Sequence, residues 1–116
     1  MSDEFIKVAT QEILEDIAKI NEILESCNSD DDVYANAKNL QGYFHKIKGL
    51  APMMEKNHVG EVAAFFDSLL KQIIDNKKLD GIYDSLIQTI PEMKTGMTAS
   101  DDNLKLLQNQ LSSKFQ

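Results

Sequence analysis

The residue best suited to group-transfer chemistry in this sequence is His45, which lies among glycines and lysines. Gly42 precedes it by three residues and Gly49 follows it by four, so all three share one face if the segment is helical. Lys46 adjoins the histidine, and Lys48 lies one helical turn beyond it. A neutral imidazole is a nucleophile, and a neighbouring ammonium group favours an anion arriving there. The spacing therefore predicts a histidine that accepts an anionic group such as a phosphoryl.

The helix that carries His45 is predicted over about 32–54. Its apolar residues recur at steps of three and four and define the buried face: Val33, Ala37, Leu40, Phe44, Ile47, Ala51 and Met54. At about 100° per residue, His45 lies about 140° from that face and points into solvent. Each interior glycine costs roughly 1 kcal/mol relative to alanine, so two of them suggest bare backbone kept for a partner's approach. The alternative is that they face a neighbouring helix. Pro52 lies near the same face and is expected to kink or end the helix.

A carboxylate that orients the imidazole is predicted on the following helix, which begins near Asn57. Asp67 follows the apolar residue Phe66 and lies at the edge of the buried stripe. If the two helices form an antiparallel hairpin, Asp67 reaches the histidine and fixes its tautomer. The alternative is an ordinary carboxylate at the helix boundary.

The rest of the 116-residue chain is predicted to be helical as well, as one domain over 1–116. Helical spacing runs almost throughout, and strand-like alternation is lacking. The expected class is all-α, an up-and-down antiparallel bundle with a four-helix core and a fifth C-terminal helix. The other expected helices cover about 2–27, 57–74 and 80–93 and a segment from Ser100, with 94–99 as a loop. Phe5 and Ile74 are among the residues predicted to be buried.

Charge and composition exclude several function classes. Nineteen acidic residues against twelve lysines give a net charge of -7, which argues against nucleic-acid binding. No apolar run is long enough for a membrane span, and the acidic N-terminus is unlike a signal peptide. With Cys27 as the single cysteine, a reducing cytoplasmic setting is expected. His45, His58 and Cys27 fall on separate elements, so no metal site is expected.

The segment His45-Lys46-Ile47-Lys48-Gly49 resembles the H-x-x-K-G motif of histidine phosphotransfer (HPt) domains. The longer stretch from His45 to Leu70 is similar to the N-terminal phosphotransfer domain of chemotaxis histidine kinases. The resemblance implies that His45 is phosphorylated at Nε2, beside Lys48, and that Gly49 gives the partner clearance. Asp67 stands where that family usually has a glutamate bonded to the other ring nitrogen, so a longer or water-mediated contact is expected.

The resemblance also implies the partners of a phosphoryl carrier. The donor would be the ATP-binding domain of a histidine kinase, in the same polypeptide or another, and the acceptor an aspartate on a response-regulator receiver domain. The expected contact residues are Gly42, Lys46, Gly49 and Pro52.

The sequence has no P-loop and no glycine-rich nucleotide lid, so we expect neither a bound cofactor nor kinase activity by this chain alone. Whether it is a fragment of a larger kinase stays open. The alternative function is a helical protein-interaction adaptor in which His45 is incidental.

Overall fold

A computed structural model describes residues 2–115, and this part of the chain is helical with no strand. Six α-helices follow one another in these described residues, with a 3-10 turn at Ala51–Met54: α1 (Asp3–Glu25), α2 (Asp30–Ala35), α3 (Ala37–Leu50), α4 (Asn57–Ile74), α5 (Ile82–Thr98) and α6 (Asn103–Lys114). The predicted all-α helical bundle is confirmed. Among residues 2–115, no helix has the length and apolar character that crossing a bilayer requires.

The core is built from the apolar faces of the long helices, with α3 and α4 as the most extensive pair. Phe44 of α3 and Phe66 of α4 are fully buried, with ring centroids 5.3 Å apart. Two of the residues predicted to be buried are exposed, Phe5 by 38% and Ile74 by 41%, and a third, Met54, is only partly buried. Phe5 lies in the first turn of α1 and Ile74 is the last residue of α4, so helical periodicity continues there beyond the packed part of the bundle.

The single helix predicted over 32–54 is interrupted at Asn36. The Asn36 side chain donates to the Asp32 carbonyl at 2.9 Å, in place of the backbone N–H that a continuous helix would use. The Asn36 N–H bonds instead to the Val33 carbonyl. A side chain that competes for a helix carbonyl interrupts the series of backbone hydrogen bonds, so α2 ends here and α3 begins.

Two prolines have different effects. Pro52 ends α3 as expected, because the chain tightens into the 3-10 turn there. The sequence predicts a helix that ends at about residue 93, just after Pro91, and a loop after it. This prediction is wrong, because α5 runs through to Thr98. Pro91 lies on the exposed side of α5, while Met93 and Met97 beyond it are buried. Their burial offsets the roughly 3 kcal/mol that an interior proline costs.

The N-termini of α4 and α5 are capped by carboxylates from distant parts of the chain. Asp101 Oδ2 accepts hydrogen bonds from the His58 and Val59 N–H groups, at 2.9 and 3.3 Å. Asp30 accepts from the Gly81 and Tyr83 N–H groups, at 2.9 and 2.8 Å. These contacts satisfy donors that a helix start leaves unpaired, and they tie the connecting segments to the bundle.

Candidate functional site

His45 points outward from α3, with 59% of its side chain exposed. Phe44 and Ile47 on either side of it in sequence are fully buried, and they fix the rotation of the helix. The burial of one face of α3 therefore determines the exposure of the imidazole on the other.

Asp67 is a buried carboxylate at the centre of a cluster formed by α3 and α4, only 1% exposed. Gln41 Nε2 donates to its Oδ1 at 2.7 Å. Its Oδ2 lies 3.4 Å from His45 Nδ1, 3.6 Å from Lys48 Nζ and 3.3 Å from Lys71 Nζ. A buried charge is stable only when it is paired and hydrogen-bonded, and Asp67 meets both conditions. We call these five residues the Asp67 cluster.

The geometry of the cluster assigns the tautomer of a neutral His45. A carboxylate accepts hydrogen bonds, so the ring nitrogen that faces it, Nδ1, is the one that bears the proton. The other nitrogen, Nε2, then keeps its lone pair. The 3.4 Å separation is longer than an ordinary hydrogen bond, as the short aspartate side chain led us to expect.

The pKa of Asp67 is lower than that of an ordinary aspartate. Burial alone would raise the pKa, but hydrogen bonds from Gln41, His45 and Lys71, and the charge of Lys71, outweigh that effect. The carboxylate is therefore ionised at neutral pH and attracts both lysines.

The glycines on either side of His45 lie on open surface. A Cβ atom added to Gly42 or to Gly49 would meet no atom of residues 2–115 within 4 Å beyond its own stretch of α3, so neither glycine faces a neighbouring helix. Pro52 is exposed, but its ring packs on α4, where a Cβ at Gly60 would lie 2.8 Å from Pro52 Cγ. With His45 opposite Asp67 and Pro52 opposite Gly60, α3 and α4 run antiparallel, as the hairpin interpretation requires.

Lys46, which the sequence placed among the partner-contact residues, is paired with α1. Its Nζ lies 3.0 Å from Oδ1 of the buried Asp16. The hydrogen bond with Asp16 raises the pKa of Lys46 above its ordinary value. About half of the Lys46 side chain remains exposed, so it contributes to the surface next to His45 while its ammonium group is held by Asp16.

Two members of the Asp67 cluster, Gln41 and Lys71, were not identified from the sequence. Both follow the spacing of one helical turn, because Gln41 precedes His45 by four residues and Lys71 follows Asp67 by four. That spacing is a signal only once His45 and Asp67 are known to face each other. Phe65, which the sequence left unplaced, packs against Phe66 and Phe115 and is no part of the cluster.

A second polar group surrounds the other histidine. Possible ligand atoms of His58, Asp101 and Asp102 lie within 4.8 Å of one another. Asp101 Oδ2 is already engaged by the two N–H groups at the start of α4, where the positive end of the helix dipole opposes a cation. We assign this group to helix capping.

Comparisons with known proteins leave the chain without a match. No family model, curated protein or solved structure matches it.

Proposed function

We propose that this chain is a phosphoryl carrier of the histidine phosphotransfer type in a two-component phosphorelay, of the kind used in chemotaxis signalling. His45 takes the phosphoryl group from the ATP-binding domain of a histidine kinase and passes it to an aspartate of a response-regulator receiver domain. The observation that carries the proposal is an exposed imidazole whose Nδ1 faces the buried carboxylate of Asp67. A proton on Nδ1 would leave the lone pair of Nε2 free to act as the nucleophile.

The reaction at His45 is a direct displacement at phosphorus. The Nε2 lone pair attacks, the Nε2–P bond forms, and the P–O bond to ADP breaks with its electron pair leaving on ADP. The ring keeps its proton on Nδ1, where Asp67 offsets the positive charge that develops on the imidazole. Transfer to the receiver aspartate repeats this displacement, with Nε2 as the leaving group.

Charge near His45 supports this role in a chain that is acidic overall. A phosphoryl group brings a charge of roughly -2 at neutral pH. Lys48 and Lys71 lie 3.6 and 3.3 Å from Asp67 Oδ2, so two ammonium groups accompany one carboxylate. The cluster therefore has a positive charge in excess, which suits an arriving phosphate.

The open backbone around His45 supports a protein donor and acceptor. Two active sites must each bring a phosphorus atom to within bonding distance of Nε2. Gly42 and Gly49 have no side chain to obstruct that approach, and no part of the described bundle lies against them.

Phosphoramidate, a small phosphoryl donor, tests the proposal without a cognate kinase. Nε2 attacks its phosphorus, the P–N bond breaks, and ammonia leaves. Mass spectrometry is expected to show one added phosphoryl group on His45, labile in acid and stable in base. His45→Gln should abolish it, and the matched variant His58→Gln should retain it.

A purified chemotaxis-type receiver domain with Mg²⁺ completes the test. The phosphoryl group should move from His45 of the phosphorylated chain to the receiver aspartate. Equal phosphorylation of the His45→Gln variant would refute the assignment of the site. A phosphorylated chain that is inert towards a panel of receiver domains would instead favour the adaptor function.

A further inference from the structure

Among residues 2–115, Gln41 is the one neutral side chain that bonds to Asp67, apart from the imidazole. It is partly buried on α3, one turn before His45, and its amide donates to Oδ1 at 2.7 Å. The contacts of Asp67 with His45, Lys48 and Lys71 all involve the other oxygen, Oδ2. The two carboxylate oxygens therefore have separate partners.

This division depends on the plane of the carboxylate. The terminal torsion of an aspartate is broad, so burial alone does not fix which way the two oxygens face. Without a partner for Oδ1, rotation towards the two ammonium groups would gain charge-assisted bonds. The contact with His45 Nδ1 is already long at 3.4 Å, and a small rotation would break it.

We propose that Gln41 is a positioning residue, which holds Asp67 Oδ1 so that Oδ2 keeps the proton of His45 on Nδ1 and leaves Nε2 nucleophilic. Its effect on the tautomer follows from the contacts alone. Its effect on phosphorylation rests on the proposed carrier function.

The variant Gln41→Met tests this role, because methionine has a similar length and no N–H donor. Gln88→Met, on an exposed face of α5, is the matched control. Nitrogen-15 NMR of His45 at a pH where the ring is neutral should show a larger Nε2–H fraction in Gln41→Met and no change in the control. Phosphorylation by phosphoramidate should slow, by at most about fivefold, because one net hydrogen bond changes the tautomer equilibrium about fivefold.

A reciprocal change of side-chain length separates positioning from a general loss of stability. Gln41→Asn withdraws the amide by one methylene, and Asp67→Glu extends the carboxylate by one. The single Gln41→Asn variant should shift the tautomer as Gln41→Met does, and the double variant should restore it. Failure of the double variant to restore the Nδ1–H form would overturn the proposal.

The two readouts distinguish this proposal from the carrier function. A wild-type chain that transfers phosphoryl groups, with a His45 tautomer that Gln41→Met leaves unchanged, would overturn the role of Gln41 alone. A tautomer that responds as expected, in a chain that neither accepts nor passes a phosphoryl group, would retain that role and refute the carrier function.

Discussion

Replacing the two glycines beside His45 by alanine should stabilise the protein. Gly42 and Gly49 lie within α3, and at either position an added Cβ meets no other element of the described chain within 4 Å. The change then brings only the gain in helix propensity, about 0.5–1 kcal/mol per site. For a chain of this length, 1 kcal/mol corresponds to roughly 4 °C in Tm, so the double variant should melt about 4–8 °C higher.

Thermal and urea unfolding followed by circular dichroism at neutral pH measure this effect. Gly60→Ala is the matched control, because its Cβ would lie 2.8 and 2.9 Å from Cγ and Cδ of the Pro52 ring. That variant should lose about 1–3 kcal/mol through overpacking. A Gly42→Ala/Gly49→Ala variant no more stable than the wild type would refute the reasoning that these glycines lie on open helix surface.

A bulky side chain at Gly49 should hinder transfer to a protein acceptor without affecting phosphorylation by a small donor. Gly49→Leu should fold at least as well as the wild type, and phosphoramidate should still phosphorylate His45 at the wild-type rate. Transfer to a receiver domain should fall, because the isobutyl group occupies the surface where that domain docks. Unchanged transfer to the receiver would contradict a role for Gly49 in clearance.

The ion pairs and the helix caps can each be tested by a single substitution. Lys48→Ala should slow phosphotransfer while changing the free energy of urea unfolding by less than about 1 kcal/mol, since Lys48 is half-exposed; equal rates would refute it. The pKa of Asp67 is lowered in the folded state, so its contribution to stability is present above the ordinary pKa of 3.8 and lost as the pH falls through the folded value. The difference in unfolding free energy between wild type and Asp67→Asn should therefore shrink as the pH falls below 3.8. A difference that stays constant over this range would contradict the prediction. Asp30→Ala should lower the free energy of unfolding by about 1–2 kcal/mol by uncapping α5, whereas the exposed neighbour Asp31→Ala should change it little.

The orientation of α3 could be predicted from the sequence because it depends on periodicity. Phe44 and Ile47 belong to a fully buried apolar stripe, and that stripe leaves His45 outside. Burial of apolar surface is the dominant favourable contribution to folding, so it determines which face of α3 turns inward. The position of Asp67 opposite the imidazole followed from the same argument applied to α4, together with the antiparallel pairing of consecutive helices.

Features decided by local competition or by distant contacts could not be predicted in this way. The break at Asn36 depends on whether the Asn36 side chain or its backbone N–H bonds to the Asp32 carbonyl. The spacing of apolar residues does not predict which of the two donors forms that bond. The passage of α5 through Pro91 depends on the burial gained by the turns beyond it. The parts played by Gln41 and Lys71 depend on a carboxylate from another helix.

The cap that Asp101 provides has a consequence for how the protein folds. The first turn of α4 donates two of its hydrogen bonds to a carboxylate more than forty positions later in the chain. The helix that holds Asp67 is therefore incomplete until the segment before α6 has docked, so ordering of the two regions is cooperative. Trimming the C-terminal helix, although it carries none of the reacting groups, should loosen the start of α4 and raise amide hydrogen exchange there.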